Sequence, residues 1–186
     1  MSVQLESQKQ ILKGCLEGNK ADQYRLYSHF SRKMYGVCLR FASSYDEAQD
    51  ILQESFIKVF EKLSSFSGKG SLEGWIRRIV INTAIEKYRD KIYHLSVHDM
   101  TDNGHFAEEN MGPSMLGTKD LLLLIQQLPD QYRLVFNLYA VEGMNHKEIG
   151  EALGLSESTS RSNLSRARAL LQEKIKKEVR LSDKAV

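Results

Sequence analysis

Apolar residues recur every three or four positions over three stretches of the first half of the chain, the spacing of a buried stripe on a helix. The first stretch begins at Ala21, the second follows Ser44, and the third follows a polar, glycine-bearing break at residues 64–71. The predicted stripes are Tyr24, Tyr27, Phe30, Met34, Val37, Cys38 and Phe41; then Ala48, Ile51, Leu52, Phe56, Val59, Phe60 and Leu63; then Leu72, Trp75, Ile76, Ile79, Val80, Thr83, Ala84 and Tyr88. Ser44 and Glu47 have capping-box spacing, which marks the second helix start. We expect these three helices to pack as one bundle.

Helical periodicity disappears between residues 96 and 117, where glycine, proline, asparagine and acidic residues collect. This composition is typical of a linker. Periodicity resumes at Leu121 and is interrupted at Pro129, whose backbone nitrogen cannot donate a hydrogen bond. The sequence therefore predicts an all-α protein with two small helical domains, residues 1–95 and 118–180. A flexible acidic linker at 96–117 would join them, and a short tail would follow at 181–186.

Two short helices near the C-terminus carry the strongest local signal. Asn145 and Glu148 have capping-box spacing, and the helix that begins there is expected to end at Gly154, where a left-handed backbone favours glycine. Ser156 is the expected cap of the next helix. The inward positions of that helix are Leu164, Ala167 and Leu171. This arrangement predicts two helices joined by a turn of three or four residues.

The second of these helices is rich in small polar residues and arginine on its outer face. A helix pair of these proportions is typical of a DNA-reading helix-turn-helix, and Gly150 lacks a Cβ where the two helices nearly touch. Small hydroxyls approach base edges or phosphates, and arginine binds guanine or phosphate. The candidate DNA-contacting residues are Ser156, Ser158, Thr159, Arg161, Ser162, Ser165 and Arg166. The alternative is a solvated polar face on an ordinary helical hairpin.

The distribution of charge along the chain supports a DNA-binding role for the helix-turn-helix. The formal net charge of +2 is too small to indicate a nucleic-acid partner by itself. Residues 156–180, however, contain seven basic and three acidic residues. Two prolines and 27% charged residues in a chain of 186 favour a folded helical protein over a β-sandwich or a disordered chain.

The two cysteines and the N-terminus predict a cytoplasmic protein. Cys15 and Cys38 show no CxxC spacing, so we expect free thiols in a reducing compartment. Residues 1–14 lack the uninterrupted apolar segment of a signal peptide. No stretch approaches the roughly 20 apolar residues of a membrane span.

The sequence indicates neither an active site nor a cofactor site. GKGS at residues 68–71 is similar to the end of a phosphate-binding loop, but no glycine stands five positions before Gly68. His94, His98 and His105 are loosely spaced and have no partner cysteines, so we expect no metal site. We predict a non-enzymatic protein without a cofactor or a small-molecule substrate.

The motifs together resemble a known family. Residues 128–171, LPDQYRLVFNLYAVEGMNHKEIGEALGLSESTSRSNLSRARALL, resemble region 4 of the sigma-70 family. Residues 46–63, DEAQDILQESFIKVFEKL, resemble region 2.2, and residues 70–90, GSLEGWIRRIVINTAIEKYRD, resemble the following helix in the extracytoplasmic-function subgroup. The resemblance implies a sigma factor reduced to domains two and four. Such a factor binds the beta-prime and beta subunits of core RNA polymerase, directs it to promoter DNA, initiates transcription and is restrained by an anti-sigma factor.

The resemblance also implies roles for individual residues. The surface that meets the beta-prime coiled coil would comprise Asp50, Gln53, Glu54 and Phe56. The second helix of the helix-turn-helix would read the minus-thirty-five element. The break at 64–71 and the third helix would open the minus-ten element and hold an extruded base. The candidate minus-ten residues are Ser65, Phe66, Lys69, Arg78, Asn82 and Arg89, of which the last three share one polar stripe.

Other interpretations of these residues stay open. Charge alone equally favours a solvated acidic face at Asp50 and Glu54, and Asn82 has the alternative of a plain surface residue. Trp75 is expected in the core. The acidic linker would by resemblance pass near the active-site and RNA-exit channels, and a solubilising tether is the equal alternative. Its acidic residues are Asp99, Asp102, Glu108 and Glu109.

The chain departs from the family pattern at Ser160 and Asn163, where an aliphatic and a basic residue are usual. We expect a buried Ser160 hydroxyl to bond a backbone carbonyl, and the missing cation at 163 to weaken phosphate attraction slightly. Two other classes of function remain open. One is a helix-turn-helix regulator with an N-terminal sensing or dimerisation domain, and the other is a helical adaptor without DNA affinity.

Overall fold

The computed structural model describes the backbone of residues 2–95 and 118–183 and the side chains of residues 9–90 and 121–177. Within these ranges the chain is helical and forms no strand, which confirms the all-α fold class. The helices are α1 (Ser2–Leu16), α2 (Lys20–Phe41), α3 (Tyr45–Lys62), α4 (Leu72–Leu95), α5 (Thr118–Gln126), α6 (Asp130–Ala140), α7 (His146–Leu153) and α8 (Glu157–Asp183), with a 3-10 turn at Leu63–Ser65. The predicted linker at 96–117 lies outside the described residues.

Helices α2, α3 and α4 form the predicted bundle, and α1 adds a fourth helix that packs on α2. Helix α1 was not predicted, because its apolar residues are sparse. The predicted stripe of α2 is wrong at Tyr24, which is 71% exposed, whereas Leu26 is buried instead. Leu26 lies four residues before the buried Phe30 and so shares its face, which Tyr24 does not.

The helix starts are fixed by side-chain caps. The Asn19 side chain caps α2, and the Ser44 hydroxyl accepts a hydrogen bond of 3.0 Å from the backbone nitrogen of Glu47 at the start of α3. The predicted capping box is only half formed there. The Glu47 carboxylate accepts hydrogen bonds from the backbone nitrogen and hydroxyl of Ser43 instead of from Ser44.

The C-terminal helices pack around α8, which contacts α5, α6 and α7. Leu164, Ala167 and Leu171 are buried, as predicted. Helix α8 continues to Asp183, past the predicted domain end at residue 180.

The two halves of the described chain also pack on each other. Helices α5 and α6 lie against α2, and α7 contacts α4. Buried residues of both halves therefore belong to one hydrophobic cluster. None of the helices in the described part of the chain combines the length and apolar composition that a membrane span needs.

Candidate nucleic-acid and protein interfaces

The helix-turn-helix is held by caps at both of its helix starts. The Asn145 side chain accepts a 2.9 Å hydrogen bond from the backbone nitrogen of Glu148, whose carboxylate accepts one of 2.8 Å from the backbone nitrogen of Asn145. Helix α7 ends at Gly154, whose φ of 69° is left-handed. The Ser156 hydroxyl accepts a 3.0 Å hydrogen bond from the backbone nitrogen of Thr159. The predicted caps at both starts and the glycine stop are confirmed.

Gly150 sets how closely the two helices approach. A Cβ built there would lie 2.6 Å from the carbonyl oxygen of Leu155 in the turn, closer than a carbon and an oxygen can approach. The prediction that the helices nearly touch at this glycine is confirmed. The absence of a side chain therefore lets the turn and the start of α8 pack closely on α7.

The outer face of α8 presents the predicted polar residues together. Ser158, Arg161, Ser162, Ser165 and Arg166 are exposed and, by their three- and four-residue spacing, form one stripe, here called the α8 stripe. Thr159 is half-buried, and the hydroxyl of the exposed Ser156 is used as a cap. This stripe has the width and chemistry to lie in a major groove.

Two arginines of the α8 stripe are held by neighbours. Arg161 forms an ion pair with Glu157 one turn before it. The Nη1 of Arg166 lies 3.3 Å from the hydroxyl of Tyr132 on α6. Arg168 is an exposed cation that the sequence analysis did not select, and its guanidinium lies 5.6 Å from the centroid of the Tyr139 ring.

The two departures from the family pattern are both buried. The Ser160 hydroxyl lies 3.0 Å from Nδ1 of His146, so the expectation of a bond to a backbone carbonyl is wrong. The His146 ring in turn stacks on Tyr139, with centroids 4.7 Å apart. Asn163 is 3% exposed, so it does not belong to the exposed α8 stripe. The expected slight loss of phosphate attraction at this position stays a prediction.

Helix α4 carries a second polar surface. Arg78, Asn82 and Arg89 are exposed along one side of it, here called the α4 stripe. The loop before the helix contains the exposed Lys69 between two glycines with left-handed backbones, Gly68 and Gly70, whose φ values are 73° and 86°. Two cations and an amide along a helix, next to a loop with a third cation, can track a nucleic-acid backbone.

The same loop is anchored by an aromatic pair. Phe66 is half-buried with its ring centroid 5.5 Å from that of Trp75, and both pack against the core. The structure thus places Trp75 at the core as predicted. The exposed Ser65 donates its hydroxyl hydrogen to the carbonyl of Lys62 over 2.6 Å. Phe66 and Ser65 therefore fix the start of the loop, and Lys69 is an exposed residue further along it.

Helix α3 presents an acidic outer face next to α4. Asp50 and Gln53 are exposed and Glu54 is half-buried on this face. The expectation that Phe56 lies on this surface is wrong, because Phe56 is 3% exposed and its ring centroid lies 4.8 Å from that of Tyr27. The apolar side chain on the surface is Ile57, which is 59% exposed.

Lysines from α3 and α4 pair with these acids. Lys58 Nζ lies 2.6 Å from a carboxylate oxygen of Glu54 and 2.6 Å from one of Glu86, and Lys87 Nζ lies 3.6 Å from Asp50. Burial opposes the charge on Lys58, but its hydrogen bonds to the two glutamates outweigh burial and raise the pKa of Lys58. Ion pairs at the protein surface contribute about 1 kcal/mol or less each, so a binding partner can replace them.

Among the described side chains, no group of three or more histidine, cysteine or acidic residues is placed to hold a metal. The predicted non-ligands His94, His98 and His105 lie outside those side chains. Cys15 and Cys38 are free thiols, as predicted, and both are buried. Burial raises the pKa of Cys38 to about 12.

Family comparisons match both halves of the chain. The model of sigma-70 region 2 matches residues 26–91, and the model of sigma-70 region 4 matches residues 118–171. The first segment contains α3, the loop after it and α4 up to residue 91, and the second contains α7 and the first part of α8.

Two full-length relatives are similar over most of the chain. The RNA polymerase sigma-H factor of Pseudomonas aeruginosa is 27% identical over 180 residues, which cover 90% of this chain and 93% of that protein. The ECF RNA polymerase sigma factor SigW of Bacillus subtilis is 29% identical over 180 residues, covering 90% and 94%. The fold is similar to that of the sigma factor RpoE from Bartonella quintana, solved in complex with the anti-sigma factor NepR. That match has a TM-score of 0.55 and 22% identity, and it covers 83% of this chain and 97% of the other.

Proposed function

This chain belongs to the sigma-70 family of RNA polymerase sigma factors, in its extracytoplasmic-function subgroup, and from that premise we propose which of its surfaces bind core polymerase and which bind promoter DNA. It binds core RNA polymerase, recognises promoter DNA and initiates transcription, and it is a transcription factor rather than an enzyme. One observation carries this function above all. Region 2 and region 4 occur in one chain, in the family's order.

The α8 stripe is our candidate for the minus-thirty-five contact. Its hydroxyls and arginines stand on the second helix of the helix-turn-helix, the one that enters the major groove in this motif. The Arg166 guanidinium has five donors and one observed neighbour, the Tyr132 hydroxyl, so it retains donors for a guanine or a phosphate. Residues 118–180 would then act as the duplex-reading domain.

The α4 stripe with Lys69 is our candidate for the minus-ten contact, within a polymerase- and promoter-binding domain of residues 1–95. Capture of a melted strand needs cations along the backbone and a place for an extruded base. Arg78, Arg89 and Lys69 are exposed cations, and Asn82 lies between the two arginines with an amide that can read a base edge. Phe66 supports this site because its contact with Trp75 anchors the loop that carries Lys69.

The acidic face of α3 is our candidate for the polymerase contact. Asp50, Gln53 and Glu54 precede the exposed Ile57 by seven, four and three positions on α3, and an apolar side chain beside polar ones is the usual composition of a protein interface. Ile57 takes the place that the sequence analysis gave to Phe56. We also propose that the protein works in the cytoplasm, where polymerase acts. An anti-sigma factor is a further proposed partner, supported by the complex in which the structural relative was solved.

Charge reversal on α3 tests the polymerase contact. We expect Glu54→Arg to weaken association with core polymerase by about tenfold, because it places a cation where the partner would meet a carboxylate. Affinity for a minus-thirty-five duplex should not change. Both affinities can be measured by fluorescence anisotropy with labelled chain and labelled DNA.

The matched control is Glu17→Arg, which makes the same charge change at an exposed ion pair with Lys13, away from α3. Core polymerase should bind this variant like the parent chain. Equal weakening by both variants would show a general effect of charge. Unchanged binding by Glu54→Arg would remove Glu54 from the interface.

A further inference from the structure

His146 joins three helices in the C-terminal half of the chain. It is the first residue of α7, and its side chain is half-buried. Its ring stacks on that of Tyr139 near the end of α6, with centroids 4.7 Å apart and planes inclined by 22°. Its Nδ1 lies 3.0 Å from the hydroxyl oxygen of Ser160 in the first turn of α8. One side chain at the start of α7 thus contacts both α6 and α8.

The contact between His146 and Ser160 is a buried hydrogen bond. Ser160 is fully buried, and within the described part of the chain His146 is the one partner of its hydroxyl. A hydroxyl both donates and accepts, so it bonds Nδ1 in either tautomer of the neutral ring. The bond is directional, because its strength falls steeply as the angle at the hydrogen departs from a straight line. An aliphatic residue, which is usual in the family at this position, could not form it.

Packing at the neighbouring glycine does not by itself set the rotation of α8. Gly150 lies one turn after His146 on α7, and a Cβ built there would lie 2.6 Å from the carbonyl oxygen of Leu155 in the turn before α8. This close approach sets how near the two helices lie. Glycine has no side chain, however, that could interlock with α8. The hydrogen bond of His146, one turn away on the same face of α7, supplies the directional contact.

The rotation of α8 decides where the α8 stripe points. Ser160 and the stripe residue Ser162 lie about 160° apart around the helix axis, because each residue turns the helix by about 100°. Holding Ser160 inward therefore holds Ser162 outward. A rotation of about 20° would move a side-chain tip about 6 Å from the axis by roughly 2 Å. Hydrogen bonds to base edges tolerate displacements of only a few tenths of an ångström.

We infer that His146 is a positioning residue for the duplex-reading helix. Through its bond to Ser160, and with its ring held by Tyr139, it fixes the rotation of α8 and so the alignment of the α8 stripe with base edges. It acts through these contacts and not through a contact of its own with DNA. The inference rests on the proposed minus-thirty-five contact of the α8 stripe, and it adds a determinant of sequence preference that lies outside the stripe.

The test compares the affinity of the complex of chain and core polymerase for two DNA fragments. The probe is the fragment that the parent complex enriches most from a random-sequence library, and the reference is the same fragment with its upstream motif scrambled. A smaller amount of folded chain weakens binding to both fragments alike, whereas a misaligned α8 lowers the ratio of the two affinities. Circular dichroism and the affinity for core polymerase should stay those of the parent chain in every variant.

His146→Gln and His146→Asn form a matched pair of variants. Both remove the ring and its stacking on Tyr139. The asparagine amide reaches the position of Nδ1 and can bond the Ser160 hydroxyl, whereas the glutamine amide reaches the position of Nε2. We expect His146→Gln to lower the affinity ratio about tenfold, the effect of roughly one lost base contact. His146→Asn should lower it by less than about threefold, because the bond to α8 is kept.

Ser160→Ala removes the same bond from the other side. It should lower the affinity ratio about as much as His146→Gln. The double variant Ser160→Ala/His146→Gln should lose no more than either single variant, because both substitutions break one shared contact.

The inference is overturned if His146→Gln weakens binding to both fragments equally, because the residue then contributes only to folding. It is also overturned if His146→Asn costs as much as His146→Gln, or if the effects of His146→Gln and Ser160→Ala multiply in the double variant. A parent complex that enriches no fragment from the library would contradict the proposed function itself. A parent complex that prefers one fragment, with the same preference in all of these variants, would contradict the positioning role alone.

Discussion

Arg166 is the residue whose substitution most directly tests the α8 stripe. It is exposed, and Tyr132 holds its guanidinium on the outer side of α8. We expect Arg166→Ala to reduce binding of a minus-thirty-five duplex by roughly 1–3 kcal/mol, because a guanine or phosphate contact is lost. Binding to core polymerase should be unchanged. Titration of labelled duplex and of core polymerase gives the two affinities.

Arg168→Ala is the control for this substitution. It removes the same charge from the same helix, but two positions along an α-helix point about 200° apart. Its effect on duplex binding should be clearly smaller than that of Arg166→Ala. If the two substitutions weaken DNA binding alike, only the net charge matters and the stripe has no special role.

Two residues do not lie on the helix face that the sequence predicts, and in each case a neighbour one or two positions away lies there instead. Ile57 is exposed in place of Phe56, and Leu26 is buried in place of Tyr24. Each residue turns the helix by about 100°, so a small error in the assigned stripe changes the face. The contact of Ser160 with His146 joins two helices, and periodicity within one helix carries no information about such partners.

At the scale of elements, Gly150 controls the joint between α7 and α8. We expect Gly150→Ala to lower the free energy of unfolding by roughly 1–3 kcal/mol, because the new methyl group would press on the Leu155 carbonyl 2.6 Å away. A urea unfolding curve followed by circular dichroism measures this change.

Gly36→Ala provides the comparison within the same fold. Gly36 lies inside α2, and a Cβ there would meet nothing within 4 Å. Alanine at an open helical position should raise the free energy of unfolding by roughly 0.4–1 kcal/mol. A Gly150→Ala variant as stable as Gly36→Ala would show that the helix-turn-helix tolerates a wider joint than the structure has.

Most of the elements could be predicted because their signals are local. The starts of α3, α7 and α8 follow from Ser44, Asn145 and Ser156, whose side chains cap the next turn of the same chain. The end of α7 at Gly154 is also predictable from local sequence, because the left-handed backbone at a helix end favours glycine. Helix α1 had neither a cap signal nor a dense apolar stripe. It packs on α2, and this tertiary contact is absent from local sequence.

At the scale of the whole molecule, the order of the domains was predictable and their packing was not. Arg133 and Asn137 are polar residues in a helical stripe, and nothing in their spacing predicts that they are buried against the end of α2. Their acceptors are backbone carbonyls, which every residue has. These contacts between the domains therefore become visible only when both domains are seen together.

The function proposed above is the start of transcription at promoters by core polymerase that has bound this chain. Transcription in vitro with the purified chain, sigma-free core polymerase and fragmented DNA of the source organism, followed by sequencing of the 5′ ends, tests it most directly. We predict transcripts that begin downstream of two shared sequence motifs. A core polymerase that stays silent, while the chain alone binds duplex DNA, would contradict this account and identify an ordinary helix-turn-helix regulator.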